Sequence, residues 1–198
     1  MIEPENPAVV KAALRNRLLS RRLARTAAER DAAAEAVASA LVGGLDGVAT
    51  LAAFVPDASE PGAGRLPAAF SDVGARVLLP IIPTEGHTLD WAAYSGELEP
   101  GRFGLSQPTG PRLGFAAIRA ADVVVVPALA VDRHGIRLGR GGGYYDRALV
   151  HARPEAVLVT VVFDDERVDD LPREVHDRPV TAVVTPSGGW QELAAHGG

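Results

Sequence analysis

Cysteine is absent from this sequence of 198 residues, and lysine is almost absent. Without cysteine there are no disulfides, cysteine-ligated zinc sites, iron–sulfur clusters or thiol nucleophiles. Of the 20 cationic residues, Lys11 is the single lysine and the rest are arginine. Chemistry that needs an ammonium group therefore has one candidate.

Long apolar runs and an apolar leader are missing as well. No stretch approaches about 18 uninterrupted apolar residues, so we expect no membrane-spanning helix and no membrane partner. The first residues carry Glu3 and Glu5 without an apolar segment, which does not fit a secretory signal. We therefore expect a cytoplasmic protein.

The charge balance is acidic, with a formal net charge of −5. Broad nucleic-acid binding needs a basic surface that displaces counterions, so we expect no nucleic-acid partner. An anionic small-molecule substrate would have to meet a local cluster of positive charge. The length suits a single domain over residues 1–198, which we expect to be a monomer with ends, 1–8 and 187–198, that fray.

Five short runs rich in Val, Leu and Ile predict buried strands, at residues 48–55, 75–82, 121–127, 156–163 and 180–186. Helical patterns alternate with them, which indicates an α/β fold: three layers, with a largely parallel central sheet and helices on both faces. An amphipathic pattern over 8–25 and a capping box at Thr26 and Glu29 predict an N-terminal helical pair. We also predict a weaker strand at 89–94, a helix within 65–75 and a long loop over 95–114. Ligands in such folds collect beyond the carboxyl ends of the strands.

The string RLGRGGGYYDR, at residues 137–147, follows the most valine-rich strand and precedes a predicted helix. Successive glycine amides before a helix N-terminus form a nest for anions, and the arginines around them suit a polyphosphate. The string matches neither the phosphate loop GxxxxGK[ST] nor the dinucleotide fingerprint GxGxxG. A flexible surface turn would explain the glycines alone. The apolar strand before them and the Tyr-Tyr-Asp after them favour a binding loop.

This string, together with PxLAxDxxG at 127–135, resembles the signature of the 5-formyltetrahydrofolate cyclo-ligase family. Further resemblance lies in KxxLR at 11–15, in the loop 54–60, in GLSQP at 104–108 and in LPREVHD at 171–177. The resemblance implies that ATP and Mg²⁺ are used to convert 5-formyltetrahydrofolate into 5,10-methenyltetrahydrofolate, with release of ADP and phosphate. The implied route passes through a phosphorylated formyl group, which N10 of the folate then attacks.

The resemblance also implies roles for individual residues. The implied ATP-binding residues are Lys11, Arg15, Arg137, Leu138, Gly139, Arg140, Gly141, Gly142, Gly143, Tyr144 and Tyr145. The implied catalytic residues are Arg140 and Tyr144, and the implied Mg²⁺ ligands are Asp146 and Asp177. The predicted substrate-binding residues are Val55, Glu60, Trp91, Arg140, Gly141, Gly142, Gly143 and Tyr144; of these, Trp91 is a possible platform for the aminobenzoyl ring.

Each role has a structural alternative that the sequence leaves open. Lys11 and Arg15 could be a solvated basic helix face, and Arg140 could form a surface salt bridge. Tyr144 and Trp91 could be core residues, Asp146 an ordinary N-terminal helix charge, and Glu60 an exposed loop residue. For the whole chain, the alternatives are a sugar-phosphate isomerase or CoA-transferase-like enzyme, or a non-catalytic folate- or nucleotide-binding protein.

Overall fold

The structure is a computed structural model that describes residues 7–173 and 177–193. Its α-helices are α1 (Pro7–Ala24), α2 (Ala27–Gly44) and α3 (Tyr144–Leu149). The first six strands are β1 (Thr50–Ala52), β2 (Arg76–Ile81), β3 (Asp90–Ala93), β4 (Leu98–Pro100), β5 (Ser106–Pro108) and β6 (Val123–Pro127). The remaining strands are β7 (Ala130–Asp132), β8 (Arg137–Leu138), β9 (Val157–Val161), β10 (Arg167–Val168), β11 (Ala182–Thr185) and β12 (Gly189–Glu192). Short 3₁₀ helices occupy Ala68–Val73, Arg102–Gly104, Phe115–Ala120 and Asp164–Glu166.

The main sheet has the strand order β12-β11-β9-β6-β1-β2-β3. Its inner strands, from β11 to β2, run parallel, and antiparallel strands lie at both edges. The central strand β6 pairs with β1 and β9, and Val124, Val125 and Val126 are fully buried. A continuous valine run is what burial on both faces demands. The predicted, largely parallel sheet is confirmed.

Helices cover both faces of this sheet. On one face, Val37 and Leu41 of α2 pack in a fully buried cluster with Phe70 of the 3₁₀ helix Ala68–Val73. On the other face, Ile118 of the 3₁₀ helix Phe115–Ala120 packs in a cluster that includes Leu149 of α3. The predicted three-layer α/β class is therefore confirmed. Within the described residues, no helix combines the length and the apolar character needed to cross a bilayer.

The predicted N-terminal helical pair is also present, and its two helices have separate tasks. The capping box forms as expected, because the Thr26 hydroxyl accepts from the Glu29 N–H at 3.2 Å and Glu29 accepts from the Thr26 N–H at 2.7 Å. While α2 covers the main sheet, α1 packs through Leu18 on a small sheet of order β10-β7-β8, against Leu129 and Leu138. This packing places the N-terminal half of α1 beside the glycine-rich loop that follows β8.

Asp132, in the PxLAxDxxG segment, organises the small sheet. Its buried carboxylate accepts from the N–H groups of His134 at 2.8 Å, Ile136 at 2.9 Å and Leu171 at 3.0 Å. Gly135 closes the turn between β7 and β8 with a φ of +76°, in the left-handed region that favours glycine. This part of the family signature therefore holds the chain in place ahead of the glycine-rich loop.

Three local expectations differ from the structure. The predicted helix within 65–75 is a short 3₁₀ helix, and the predicted loop 95–114 contains the ribbon formed by β4 and β5. Residues 189–192, expected to fray, form the edge strand β12, because the Trp190 ring packs against Gly44 at the end of α2. The expected fraying of residues 1–6 and 194–198 lies outside the described residues.

Candidate active site

A cavity of about 600 Å³ opens at the carboxyl end of the main sheet. Its walls include Phe54 after β1, Ile82 after β2 and Pro127 at the end of β6. Residues of α1, the loop between β4 and β5 and the glycine-rich loop complete the lining. Of the strand ends predicted to carry ligands, those of β1, β2 and β6 face this cavity. The segment between β9 and β11 contributes Asp177 to the wall, whereas the described residues that directly follow β11 are not part of it.

The glycine-rich loop forms one wall of the cavity with all of its predicted residues, 137–145. Gly141 and Gly143 have φ values of +99° and +66°, and Gly143 directly precedes α3. The loop is supported from α1, because Nε of Arg15 donates to the Gly139 carbonyl at 2.8 Å. Lys11, one turn earlier on the same helix, also lines the cavity. The structure therefore brings both predicted α1 residues to the cavity wall.

Arg140 reaches across the cavity to the loop after β1. Its Nη2 atom donates to Asp57 and lies 3.4 Å from the Ser59 hydroxyl and 3.5 Å from Oε1 of Glu60. Asp57 is itself fixed, since its carboxylate accepts from the Ser59 N–H at 2.7 Å. Sequence reasoning missed Asp57. The only available signal was its place in the loop that carries Glu60.

Glu60 is a buried residue with 8% exposure, which excludes the alternative of an exposed loop glutamate. Its Oε2 atom accepts from the Asp57 N–H at 3.0 Å. Burial, and then the negative charge of Asp57, raise the pKa of Glu60 above its ordinary value, while Arg140 and Arg22 act in the opposite direction. The carboxylate faces the cavity and can accept hydrogen bonds from a ligand that carries N–H donors.

Arg137 and Asp146 form an ion pair where the loop enters α3. Nη2 of Arg137 donates to Asp146, and Nη1 donates to the carbonyl of Arg178 at 3.0 Å. Asp146 and Asp177 both line the cavity. Two carboxylates suit Mg²⁺, which takes oxygen ligands and completes its shell with substrate phosphates and water. The described residues contain no group of three or more acidic or histidine side chains that could cage a metal alone.

The two tyrosines of the predicted loop also lie on the wall. The ring of Tyr144 packs against His87 with centroids 5.2 Å apart. The Tyr145 hydroxyl is buried and has no hydrogen-bond partner among the described residues. Burial strongly raises the pKa of Tyr145, so its phenol stays protonated and can donate to a ligand.

One predicted substrate-binding residue lies elsewhere. Trp91 on β3 has 0% exposure, belongs to the apolar core and is not on the cavity wall. The structure therefore does not bring Trp91 to the site, and its ring is a core side chain, as in the structural alternative given above. Val55, by contrast, lines the cavity as predicted.

An aromatic side chain that the sequence did not single out lies at the cavity instead. Phe103, in the loop between β4 and β5, lines the wall with 68% exposure and an unusual φ of +58°. Arg102 fixes this loop by donating to the carbonyls of Pro83 and Thr84, the latter at 2.8 Å. The φ of Phe103 could not be read from the GLSQP motif that follows it.

This site defines a class of enzyme: an α/β protein with a glycine-rich anion loop facing a buried carboxylate across one cavity. The sequence model of the 5-formyltetrahydrofolate cyclo-ligase family matches residues 7–186. The chain therefore belongs to this family of ligases in folate one-carbon metabolism.

Individual relatives agree with the family match. The chain is 47% identical to a 5-formyltetrahydrofolate cyclo-ligase of Mycolicibacterium smegmatis over 145 residues, which are 71% of this chain and 75% of the relative. Its identity to the Escherichia coli K12 enzyme of the same name is 35% over 122 residues, or 60% of this chain and 67% of the relative. The structure of 5,10-methenyltetrahydrofolate synthetase from Aquifex aeolicus superposes with a TM-score of 0.78 at 28% identity, covering 96% of this chain and 95% of that one.

Proposed function

We propose that this protein closes 5-formyltetrahydrofolate to 5,10-methenyltetrahydrofolate, using ATP with Mg²⁺ and releasing ADP and phosphate. The observation that carries the proposal is the placement of Arg140. This residue belongs to the anion loop, yet its guanidinium lies 3.5 Å from the buried carboxylate of Glu60 on the facing wall. A group bound at Glu60 and a phosphate bound at the loop would meet at Arg140.

The chemistry requires little more of the protein than positioning and charge neutralisation. The formyl oxygen is a poor leaving group, so it accepts the γ-phosphoryl group of ATP and ADP departs. N10 then attacks the formyl carbon, the ring closes, N10 loses its proton and phosphate leaves with its electron pair. Arg140 is the group we assign to the charge on the transferring phosphoryl. Tyr144 is the residue we assign to closing the site over the pterin.

The other residues are assigned according to whether they lie near Glu60 or near the glycine-rich loop on the cavity wall. Glu60 would accept the N–H donors of the pterin, with Val55 beside it as an apolar contact. Lys11, Arg15 and the amides of residues 139–143 would hold the phosphates. Asp146 and Asp177 would hold Mg²⁺, which neutralises phosphate charge when bound. A cytoplasmic location and a monomeric state stay predictions.

The proposal is tested by incubating the purified protein with 5-formyltetrahydrofolate, MgCl₂ and ATP, and following the near-ultraviolet absorbance of the methenyl product. We expect a product band that requires all three additions and one ADP released per folate closed. A band that forms equally without ATP, or no band with all three present, would refute the proposal. Replacing ATP with its non-hydrolysable β,γ-imido analogue is the matched control and should give no product.

A further inference from the structure

Arg22 of α1 is a guanidinium buried directly beneath the cavity, with 0% exposure. It forms a two-point ion pair with Glu166, from Nε to Oε1 at 2.7 Å and from Nη2 to Oε2 at 2.7 Å. Its Nη2 atom also donates to the carbonyl of Ala128 at 2.7 Å. Glu166 is equally buried and accepts from the Phe163 N–H at 2.9 Å. The lower side of the guanidinium is therefore completely satisfied.

The upper side of Arg22 faces the cavity wall. Its Nη1 atom has no hydrogen-bond partner among the described residues and lies 3.8 Å from Oε1 of Glu60. Burying an ion costs several kcal/mol, and apolar side chains often replace a buried ion pair without loss of stability. A fold that needed only to join α1 to the chain after β9 would not require the Arg22–Glu166 ion pair. The carboxylate of Glu60 lies on the other side of Arg22, so the buried cation can also act on Glu60.

We propose that Arg22 is a positioning residue for Glu60, and that it holds the Glu60 carboxylate at the cavity wall from below while Arg140 serves the ligand. This inference rests on the proposed function for the role of Glu60 toward the folate. Arg22 itself does not line the cavity and touches no substrate.

The charges around Glu60 show why a second cation matters. Asp57 faces it from the same loop, Arg140 from the glycine-rich loop, Tyr145 from α3 and Arg22 from α1, with Glu166 behind Arg22. Arg140 is partly exposed, and an incoming phosphate would draw it away from Glu60. Arg22 is enclosed and cannot follow the phosphate. It therefore opposes the effects of burial and of Asp57, both of which raise the pKa of Glu60.

Four variants separate this role from a purely structural one: Arg22→Gln, Arg22→Lys, Glu166→Gln, and the double variant R22Q/E166Q. Glu166→Gln is the matched control, because it breaks the same buried pair but leaves the cation under Glu60. The first measurement is the titration of the Glu60 carboxyl by ¹³C NMR in the ligand-free protein. The second is calorimetric binding of 5-formyltetrahydrofolate and, separately, of ATP with Mg²⁺.

We expect Arg22→Gln to move the Glu60 titration to higher pH and to weaken folate binding about tenfold, with ATP binding unchanged within about twofold. Arg22→Lys should restore part of both effects, and Glu166→Gln should not raise the pKa of Glu60. If Arg22→Gln does not fold, the double variant leaves no uncompensated charge and should still show the shift. An unchanged Glu60 titration, or equal losses for folate and ATP, would overturn the inference. Absence of folate binding by the wild type would instead refute the proposed function, and the NMR titration would still decide the role of Arg22.

Discussion

Replacing Gly135 with alanine would place a methyl group against the main chain of a neighbouring segment. The added Cβ would lie 2.2 Å from the carbonyl oxygen of Val180 and 3.2 Å from its carbonyl carbon. The carbonyl of Gly135 in turn accepts from the Val180 N–H at 2.8 Å, so the two segments are joined and cannot simply separate. Gly86 provides a matched control, because its φ of +74° is almost the same and a methyl group added there would meet nothing within 4 Å.

The expected magnitudes follow from these two geometries. A non-glycine residue in the left-handed region costs about 1–2 kcal/mol, and this cost applies to both variants. Overpacking adds about 1–3 kcal/mol, and the upper end applies where the obstacle is backbone that cannot rotate away. We therefore expect Gly135→Ala to lose about 4–5 kcal/mol and Gly86→Ala about 1–2 kcal/mol. For a chain of this size, these losses correspond to decreases in Tm of roughly 8–20 °C and 2–8 °C.

Thermal unfolding followed by circular dichroism measures both variants under one set of conditions. Activity of Gly135→Ala should fall further than its folded fraction, since the turn at Gly135 holds the hairpin from which residues 139–143 project. Equal decreases in Tm for the two variants would refute the reasoning, because it would show that the contact with Val180 carries no cost beyond backbone strain. A decrease in Tm for Gly86→Ala with no decrease for Gly135→Ala would also refute the reasoning.

Two other predictions concern the site residues Arg140 and Asp146, and a third concerns Asp122. Arg140→Ala should reduce turnover at least about 100-fold at unchanged Tm. The control Arg133→Ala breaks an exposed ion pair with Asp170, whose N–O distance is 3.3 Å, and should leave turnover intact. Near-wild-type turnover of Arg140→Ala would remove Arg140 from the mechanism. Asp146→Asn should raise the Mg²⁺ concentration for half-maximal activity at least about tenfold, and an unchanged metal titration would contradict the assignment. The Thr50 N–H, and also Arg153, hold the pKa of Asp122 below its ordinary value of 3.8, so Asp122 adds stability that is lost as pH falls through the lowered pKa. Asp122→Asn should therefore be less stable than wild type at pH 7 by urea unfolding, and the difference should shrink below pH 3.8; a constant difference would argue against it.

The sequence patterns predicted those features of the fold that neighbouring residues in the chain determine. The valine run of β6, the capping box at Thr26 and the glycine-rich loop are all set by residues close in sequence. The contacts that build the site are not local. Arg140 and Asp57 are 83 residues apart, and Arg22 and Glu166 are 144 residues apart, so only the strand order brings them together.

Trp91 and residues 189–192 show what the local patterns could not predict. The side chains of a strand alternate between two faces, but the alternation does not tell which face meets a cavity and which meets other helices. The ring of Trp91 belongs to the buried cluster that contains Ile118 and Leu149, so it is part of the core. For residues 189–192, the strand depends on contact between Trp190 and α2, which no local pattern of this short glycine-containing segment reports.

The charge balance of the cavity couples its two proposed ligands. Among the residues that the structure describes, the cationic side chains on the wall outnumber the acidic ones by one; they are Lys11, Arg15, Arg102, Arg137 and Arg140 against Asp57, Glu60, Asp146 and Asp177. Two of the arginines already hold carboxylates, Arg140 that of Asp57 and Arg137 that of Asp146.

A triphosphate that binds Arg137 and Arg140 would separate them from the carboxylates of Asp146 and Asp57. Leaving these carboxylates unpaired is unfavourable unless another positive charge binds beside them. Mg²⁺ can serve Asp146 in this way, so we expect ATP to bind at least about tenfold more weakly when Mg²⁺ is removed with a chelator, as measured by calorimetry. In Asp146→Asn the same removal should matter less, because no carboxylate is stranded. An equal dependence on Mg²⁺ in the two proteins would show that the metal acts on the nucleotide alone and that the Arg137–Asp146 pair does not take part in its binding.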